Sequence, residues 1–163
     1  MELGGNSKFF TIEYIMFRGL NENLLDDKGR VAFPLEFRQA LQADSFVLTL
    51  SLYEPCLVGM RISDFEAQAE KVRKLPASNP AVMEFKRVVI ASSSVVSIDK
   101  SGRVAIPKEL RNYAGLEREI LWAGIIDQIE LWSKKRWNER NQKRLENKVE
   151  LEALRKTLED FGL

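Results

Sequence analysis

The chain contains no histidine and a single cysteine, Cys56. That excludes zinc sites of the usual His and Cys spacing, nucleophile pairs that rely on a histidine base, and an intrachain disulfide. Net charge is also scarce: 25 Lys and Arg against 24 Asp and Glu leave +1 over 163 residues. No global basic field exists, so affinity for nucleic acid has to come from a local cluster. Long apolar runs are missing as well. The stretch Phe9 to Ile15 is broken by Thr11 and Glu13. It is too short to span a bilayer and lacks the charged start and small-residue cleavage site of a signal peptide. A lone cysteine without a targeting pattern predicts a reducing cytoplasm and no membrane partner. The length suits one compact domain or two small ones, and 45% hydrophobic content is enough for a core.

What the chain does have is one block written twice. Residues 26–38 read Asp-Asp-Lys-Gly-Arg-Val-Ala-Phe-Pro-Leu-Glu-Phe-Arg, and residues 99–111 read Asp-Lys-Ser-Gly-Arg-Val-Ala-Ile-Pro-Lys-Glu-Leu-Arg. The shift is 73 residues (103 minus 30), and eight of the thirteen positions are identical. This is an internal duplication. Gly29 and Gly102 stand where a turn needs positive φ. Arg-Val-Ala-Phe and Arg-Val-Ala-Ile are strand-like. Pro34 and Pro107 end those strands and open short helices, Leu35 to about Leu41 and Lys108 to about Ala114, with Gly115 stopping the second. Each copy therefore predicts strand, turn, strand, short helix.

The flanking sequence supplies the rest. Met16 to Leu25 predicts a strand entering the first block. Phe46 to Leu52 and Cys56 to Ile62 predict a strand pair turned at Glu54-Pro55. Ser63 reads as the N-cap of a helix carrying Phe65, Ala69, Val72 and Leu75, and Pro80 begins another that contains Val82, Met83, Phe85 and Val88-Val89. Ser92-Ser93-Ser94 sits in an apolar setting without a base or glycine elbow, so close packing explains it better than a nucleophile. Ile120 to Ala123 and Gln128 to Trp132 repeat the strand pair, with Gly124 and Asp127 marking its turn. Ser133 opens one long helix to about Asp160, basic at its start (Lys134, Lys135, Arg136, Arg140, Lys143, Arg144). Leu151, Leu154, Leu158 and Phe161 give that helix an apolar stripe for its own domain or a neighbouring subunit. The division is residues 1–15 as an N-terminal extension, 16–62 as the first half, 63–90 as a helical insert, 91–132 as the second half and 133–163 as a C-terminal helix. The extension is either an extra edge strand or the product of an upstream start, with Met16 as the alternative start.

The repeated turn carries the candidate chemistry. Asp26 stands four residues before Arg30, and Asp99 four before Arg103. Across a tight turn such ends return to each other, and the carboxylate can hold the guanidinium in one orientation. A held guanidinium presents a fixed fork of donors that suits phosphate or the guanine edge in the major groove. Lys28 and Lys100 add mobile positive charge suited to phosphates. A two-stranded hairpin is narrow enough to enter a major groove. The other reading of the same spacing is a structural salt bridge closing a turn.

These residues resemble a family. Met16-Phe17-Arg18-Gly19, Leu25-Asp26-Asp27-Lys28-Gly29-Arg30, Pro34 and Phe37-Arg38 look like the N-terminal half of the MraZ family. Asp99, Gly102-Arg103, Ile106-Pro107, Glu109-Leu110-Arg111 and Tyr113 to Leu116 look like its second half. Ile129 to Trp132 and Arg136-Trp137 look like its ending. The resemblance covers roughly Met16 to Trp137. It implies an α+β fold of two tandem AbrB-like swapped-hairpin halves that pair within one chain as a pseudo-dimer, and a homo-oligomeric ring. It implies a bacterial, nucleoid-associated regulator that binds short direct repeats of double-stranded DNA in the promoter of the division and cell-wall gene cluster, with no cofactor. The DNA-reading Asp-x-x-x-Arg motif of the family falls on Asp26 and Arg30 and on Asp99 and Arg103. Lys100-Ser101 departs from Asp27-Lys28, which predicts unequal halves. Several hairpins on consecutive repeats would turn weak contacts into avidity. Two competing expectations are an antitoxin-like interaction module on the same fold and an enzyme, for which Cys56 and scattered carboxylates are the candidates.

Overall fold

The computed structural model describes residues 16–163, so the expectation of an added edge strand before Met16 lies outside the described residues. In chain order the elements are β1 (Phe17–Leu24), β2 (Arg30–Ala32), α1 (Leu35–Leu41), β3 (Ser45–Leu50), β4 (Leu57–Met60), α2 (Ile62–Arg73), α3 (Pro80–Phe85), β5 (Ser94–Ser97), β6 (Arg103–Ala105), α4 (Lys108–Ala114), β7 (Glu119–Ile126), β8 (Gln128–Ser133), α5 (Lys134–Glu146) and α6 (Lys148–Asp160). A π-helical turn, Lys86–Ile90, continues α3. The fold is α+β with tandem halves.

The duplication is visible in the sheet order. Six strands run β1-β7-β8-β4-β3-β5, and a second sheet pairs β2 with β6. Under the 73-residue shift, β1 corresponds to β5, β2 to β6, β3 to β7 and β4 to β8. Each half thus lends its first strand to the other: β1 pairs with β7, and β5 pairs with β3. The short strands also cross. Val31 faces Val104, the same position in the two copies, while Arg30 faces Ala105 and Ala32 faces Arg103. Since strand side chains alternate, the valines point to the core and the arginines outward.

One shared core results. Val31, Val104, Phe37 and Leu110 are each no more than 3% exposed and belong to one buried cluster with Phe17, Phe46, Trp122 and Leu131. The first half contributes aromatic contacts. Phe33 stacks on Phe46 at 4.9 Å and meets Trp122 edge-on at 5.4 Å. The corresponding residue of the second half is aliphatic Ile106. The Trp122 indole N–H donates to the Ala32 carbonyl at 3.1 Å and so satisfies the one polar atom that its burial carries inside.

Several local expectations are corrected. Helix α2 begins at Ile62, and Ser63 is not its N-cap. Arg61 occupies that place without a side-chain cap, and its guanidinium donates to the Ala40 carbonyl at 2.9 Å and lies 4.7 Å from the Phe17 ring centroid. Gly124 is not in the turn between β7 and β8. It is inside β7, where a Cβ would come within 2.3 Å of the Arg18 amide nitrogen of β1. The turn falls at Ile126 and Asp127, with Ile126 at φ 73°. Strand formers surround Gly124, and close approach of the neighbouring strand explains the glycine better than a turn. The C-terminal segment is two helices rather than one. Asn147 leaves the helical region at ψ 81°, and its side chain accepts from the Glu150 amide at 3.1 Å, which starts α6 afresh. On α6, Leu151 and Leu158 are half-buried, whereas Leu154, and Phe161 just past its end, are exposed. Ser93 donates to the Ile90 carbonyl at 2.7 Å and closes the π-helical turn, in keeping with a structural role.

Candidate nucleic-acid interface

The two turns sit side by side because β2 and β6 that leave them are paired. Their backbones match. Asp26 N donates to Arg30 O at 2.9 Å and Gly29 N to Asp26 O at 3.0 Å; Asp99 N donates to Arg103 O at 2.8 Å and Gly102 N to Asp99 O at 3.0 Å. Gly29 and Gly102 have φ of 77° and 75°, which only glycine adopts without strain. The turns also brace each other. Ile106 N donates to Gly29 O at 2.8 Å and Phe33 N to Gly102 O at 2.9 Å.

Both carboxylates fasten their own turns. One oxygen of Asp26 accepts from the amides of Lys28 and Arg30 at 2.9 and 2.8 Å, and one oxygen of Asp99 accepts from those of Ser101 and Arg103 at 2.8 and 3.0 Å. The Arg30 amide bond is the main reason that Asp26 is held below the ordinary carboxylate range, and the Arg103 amide does the same for Asp99. Hydrogen bonds to the charged form extend the ionised range of both groups to more acidic pH.

The guanidiniums behave differently from expectation. Arg30 Nε donates to Asp26 Oδ2 at 3.2 Å, as the spacing predicts. Arg103 does not turn back to Asp99. Its Nη1 donates instead to Asp26 Oδ2 at 3.3 Å, across the pair of halves. The reason is the strand pairing, which places Arg103 opposite small Ala32 and so next to the first turn. The expectation of an Asp–Arg bridge within each turn is therefore corrected for the second: Arg30 bridges to Asp26 as expected, while Arg103 also bridges to Asp26, which joins the two turns in one surface. Lys28 and Lys100 are exposed at its rim.

Two neighbours were not singled out from the sequence. The Arg111 guanidinium packs against Gly29, where a Cβ would meet its Cζ at 2.6 Å, and Arg111 Nε donates to Ile106 O at 3.0 Å. Exposed Arg118 lies at the base of the first turn, its carbonyl accepting from Leu25 N at 2.8 Å. Arg111 had a signal, being identical to Arg38 in the repeat; Arg118 had none.

The basic start of α5 is largely engaged. Lys134 pairs with Glu22 at 2.8 Å, Arg140 with Glu54 at 2.7 Å, and Arg136 donates to the Tyr113 carbonyl at 2.9 Å. Lys135, Lys143 and Arg144 are exposed. Cys56 is fully buried, and burial, reinforced by Glu130, pushes its thiol up to about 12. A neutral, enclosed thiol is a poor nucleophile. Among the described residues no cluster of His, Cys, Asp and Glu could hold a metal ion, and no helix is long and apolar enough to cross a membrane.

Comparison with known proteins agrees with this architecture. A family model described as "MraZ protein, putative antitoxin-like" matches twice, over residues 16–88 and 90–159. A transcriptional regulator MraZ of Thermomicrobium roseum is 41% identical over 122 residues, 75% of this chain and 84% of that protein. The transcriptional regulator MraZ of Clostridium acetobutylicum is 35% identical over 148 residues, 91% of this chain and all of the relative. That of Legionella pneumophila is 32% identical over 152 residues, again 91% of this chain and all of the relative. With two tandem matches and relatives that align over 84% to all of their own length, the chain belongs to the MraZ family.

Proposed function

We propose that this protein is a bacterial, sequence-specific DNA-binding transcriptional regulator that acts through its joint turn surface. The relatives named as transcriptional regulators support the general role. The observation that carries the site assignment is the convergence of Arg30 and Arg103 on one carboxylate, beside exposed Lys28 and Lys100. Two restrained guanidiniums on a narrow paired-strand ridge suit base edges in a major groove, and the mobile lysines suit flanking phosphates. Asp26 and Asp99 shape the turns rather than touching DNA, since carboxylates repel phosphate. The target is short direct repeats in the promoter of the division and cell-wall gene cluster. A homo-oligomeric ring presenting several such surfaces supplies avidity that one small, weakly charged surface lacks. The protein acts in the cytoplasm, at the nucleoid, and is not an enzyme.

The test is titration of a labelled promoter fragment from upstream of the host's division and cell-wall genes, with unrelated DNA as competitor. Binding by the wild type should be specific and salt-sensitive, and Arg30→Ala and Arg103→Ala should each remove the specificity while leaving fold and assembly intact. Normal specific binding by a folded Arg30→Ala protein would sink the site assignment. The exposed apolar residues at the C-terminus, Leu154 on α6 and Phe161 after it, favour a second reading, an antitoxin-like interaction module. Co-purification of a small basic partner, with no specific DNA binding, is its outcome.

A further inference from the structure

The two aspartates of the repeat do not do the same work. Their Oδ1 atoms are equivalent, each accepting two turn amides. Their Oδ2 atoms are not. Asp26 Oδ2 takes Arg30 Nε at 3.2 Å and Arg103 Nη1 at 3.3 Å, with both arginines equally exposed, at 36%. The equivalent bridges run to Asp26 and not to Asp99, although the local sequence spacing is the same. Alanines opposite each arginine, Ala105 and Ala32, leave room for the guanidiniums to lean over the strand pair.

We propose that Asp26 is the shared positioning residue of both DNA-reading turns, and that Asp99 forms its turn without hydrogen-bonding either guanidinium. The Asp99 charge attracts Arg103 and Arg30 only at longer range. This rests on the DNA-binding function proposed above. A long cationic side chain that binds from a mobile state loses rotamer freedom, and a carboxylate that already holds it removes much of that cost. Asp26 does this for two arginines at once and also offsets the repulsion between them. The mode of attachment divides their labour. Arg30 is held through Nε, so both of its Nη groups remain for a bidentate contact such as guanine O6 and N7. Arg103 is held through Nη1, which spends part of its fork and leaves it better suited to a single acceptor on a base edge than to a bidentate contact.

The isosteric pair Asp26→Asn and Asp99→Asn separates the two roles in the full chain. Asparagine keeps an acceptor for the turn amides and places an NH2 donor where Oδ2 was. With the promoter fragment at two salt concentrations, Asp26→Asn should lose about tenfold or more in specific affinity, from two arginines set free. Its affinity for unrelated DNA should hold or rise, because a negative charge is gone. Asp99→Asn should change the ratio of specific to unrelated binding by less than about threefold. Equal losses in the two variants, or an unchanged ratio in Asp26→Asn, would overturn the proposal.

A second measurement needs no DNA. The Nε–H order parameters of Arg30 and Arg103 in the free wild-type protein should both be high, should both fall in Asp26→Asn and should stay high in Asp99→Asn. A mobile Arg103 in the wild type overturns the shared role even if Asp26→Asn fails to fold. Absence of specific DNA binding with both arginines ordered on Asp26 would defeat the DNA reading instead, and the role in DNA positioning with it.

Discussion

The turn at Asp26–Arg30 and the turn at Asp99–Arg103 have matching backbone hydrogen bonds but different surroundings. The first is covered by the Arg111 guanidinium and has Arg118 at its base. The second has open space over Gly102, and Asp44 is at its base, where its carbonyl accepts from Ile98 N at 2.7 Å and its carboxylate pairs with Arg38 at 3.0 Å. Arg38 is the repeat equivalent of Arg111, yet it reaches an acidic residue on its own half instead of covering the facing turn. The two ends of the surface therefore differ in what stands beside them, exposed Arg118 at one and the Arg38–Asp44 pair at the other. The lesson is that duplication retains what the backbone requires, while the neighbours of each copy are free to diverge.

The strongest way to test whether the halves are one folding unit is to hollow out each in turn. Phe37→Ala and Leu110→Ala remove equivalent buried side chains and should each cost about 3–5 and about 2–5 kcal/mol respectively. Because both residues belong to one core, urea unfolding followed by tryptophan fluorescence and by circular dichroism should give a single coincident transition in either variant. Separate transitions would break the comparison by making the halves independent.

The glycines sharpen it. Gly102→Ala meets only the strain of positive φ, about 1 kcal/mol, while Gly29→Ala must also displace Arg111 from Ile106 O and should cost about 2 kcal/mol. Equal midpoints in urea would mean that Arg111 contributes nothing to the first turn. Asn147→Ala tests a feature that follows only the second half. Loss of its cap should cost α6 about 1 kcal/mol, read as faster amide exchange confined to that helix.

Acid gives the smallest contrast. Asp26 and Asp99 both have folded pKa values below the ordinary 3.8. Their contribution is therefore fully present above about pH 3.8 and is lost as the pH falls through the lower folded values. Asp26→Asn and Asp99→Asn should each flatten the stability profile below pH 4, to a similar small extent. A loss of stability on going from pH 7 to pH 5 that either variant abolishes would contradict this assignment.

Much of the fold was legible because repeated spacing carries physical content. Val31 and Val104, the prolines at 34 and 107 and the boundaries of α1 and α4 follow from alternation, fixed φ and helix stops. Gln42 shows where such signals fail. It ends α1 in the left-handed region at φ 55°, the place that Gly115 fills in the second half. Only the repeat, not the residue type, could have marked it. Gly124 misled for the opposite reason, since its small size serves packing against β1 rather than a turn. Within the site, Asp26 to Arg30 could be read from spacing, because both lie on one short loop. Arg103 reaching Asp26 could not, because the contact depends on the cross-pairing of β2 with β6.

That cross-pairing also decides how each joint turn surface responds to dilution. A swapped pair of separate chains comes apart when its protomers become scarce, so its reading surface depends on how much protein the cell holds. Here β2 and β6 belong to one polypeptide. The surface forms by a first-order process, in a fixed one-to-one ratio, however few molecules are present. The same linkage lets each half be altered separately, something that two identical chains encoded by one gene cannot do.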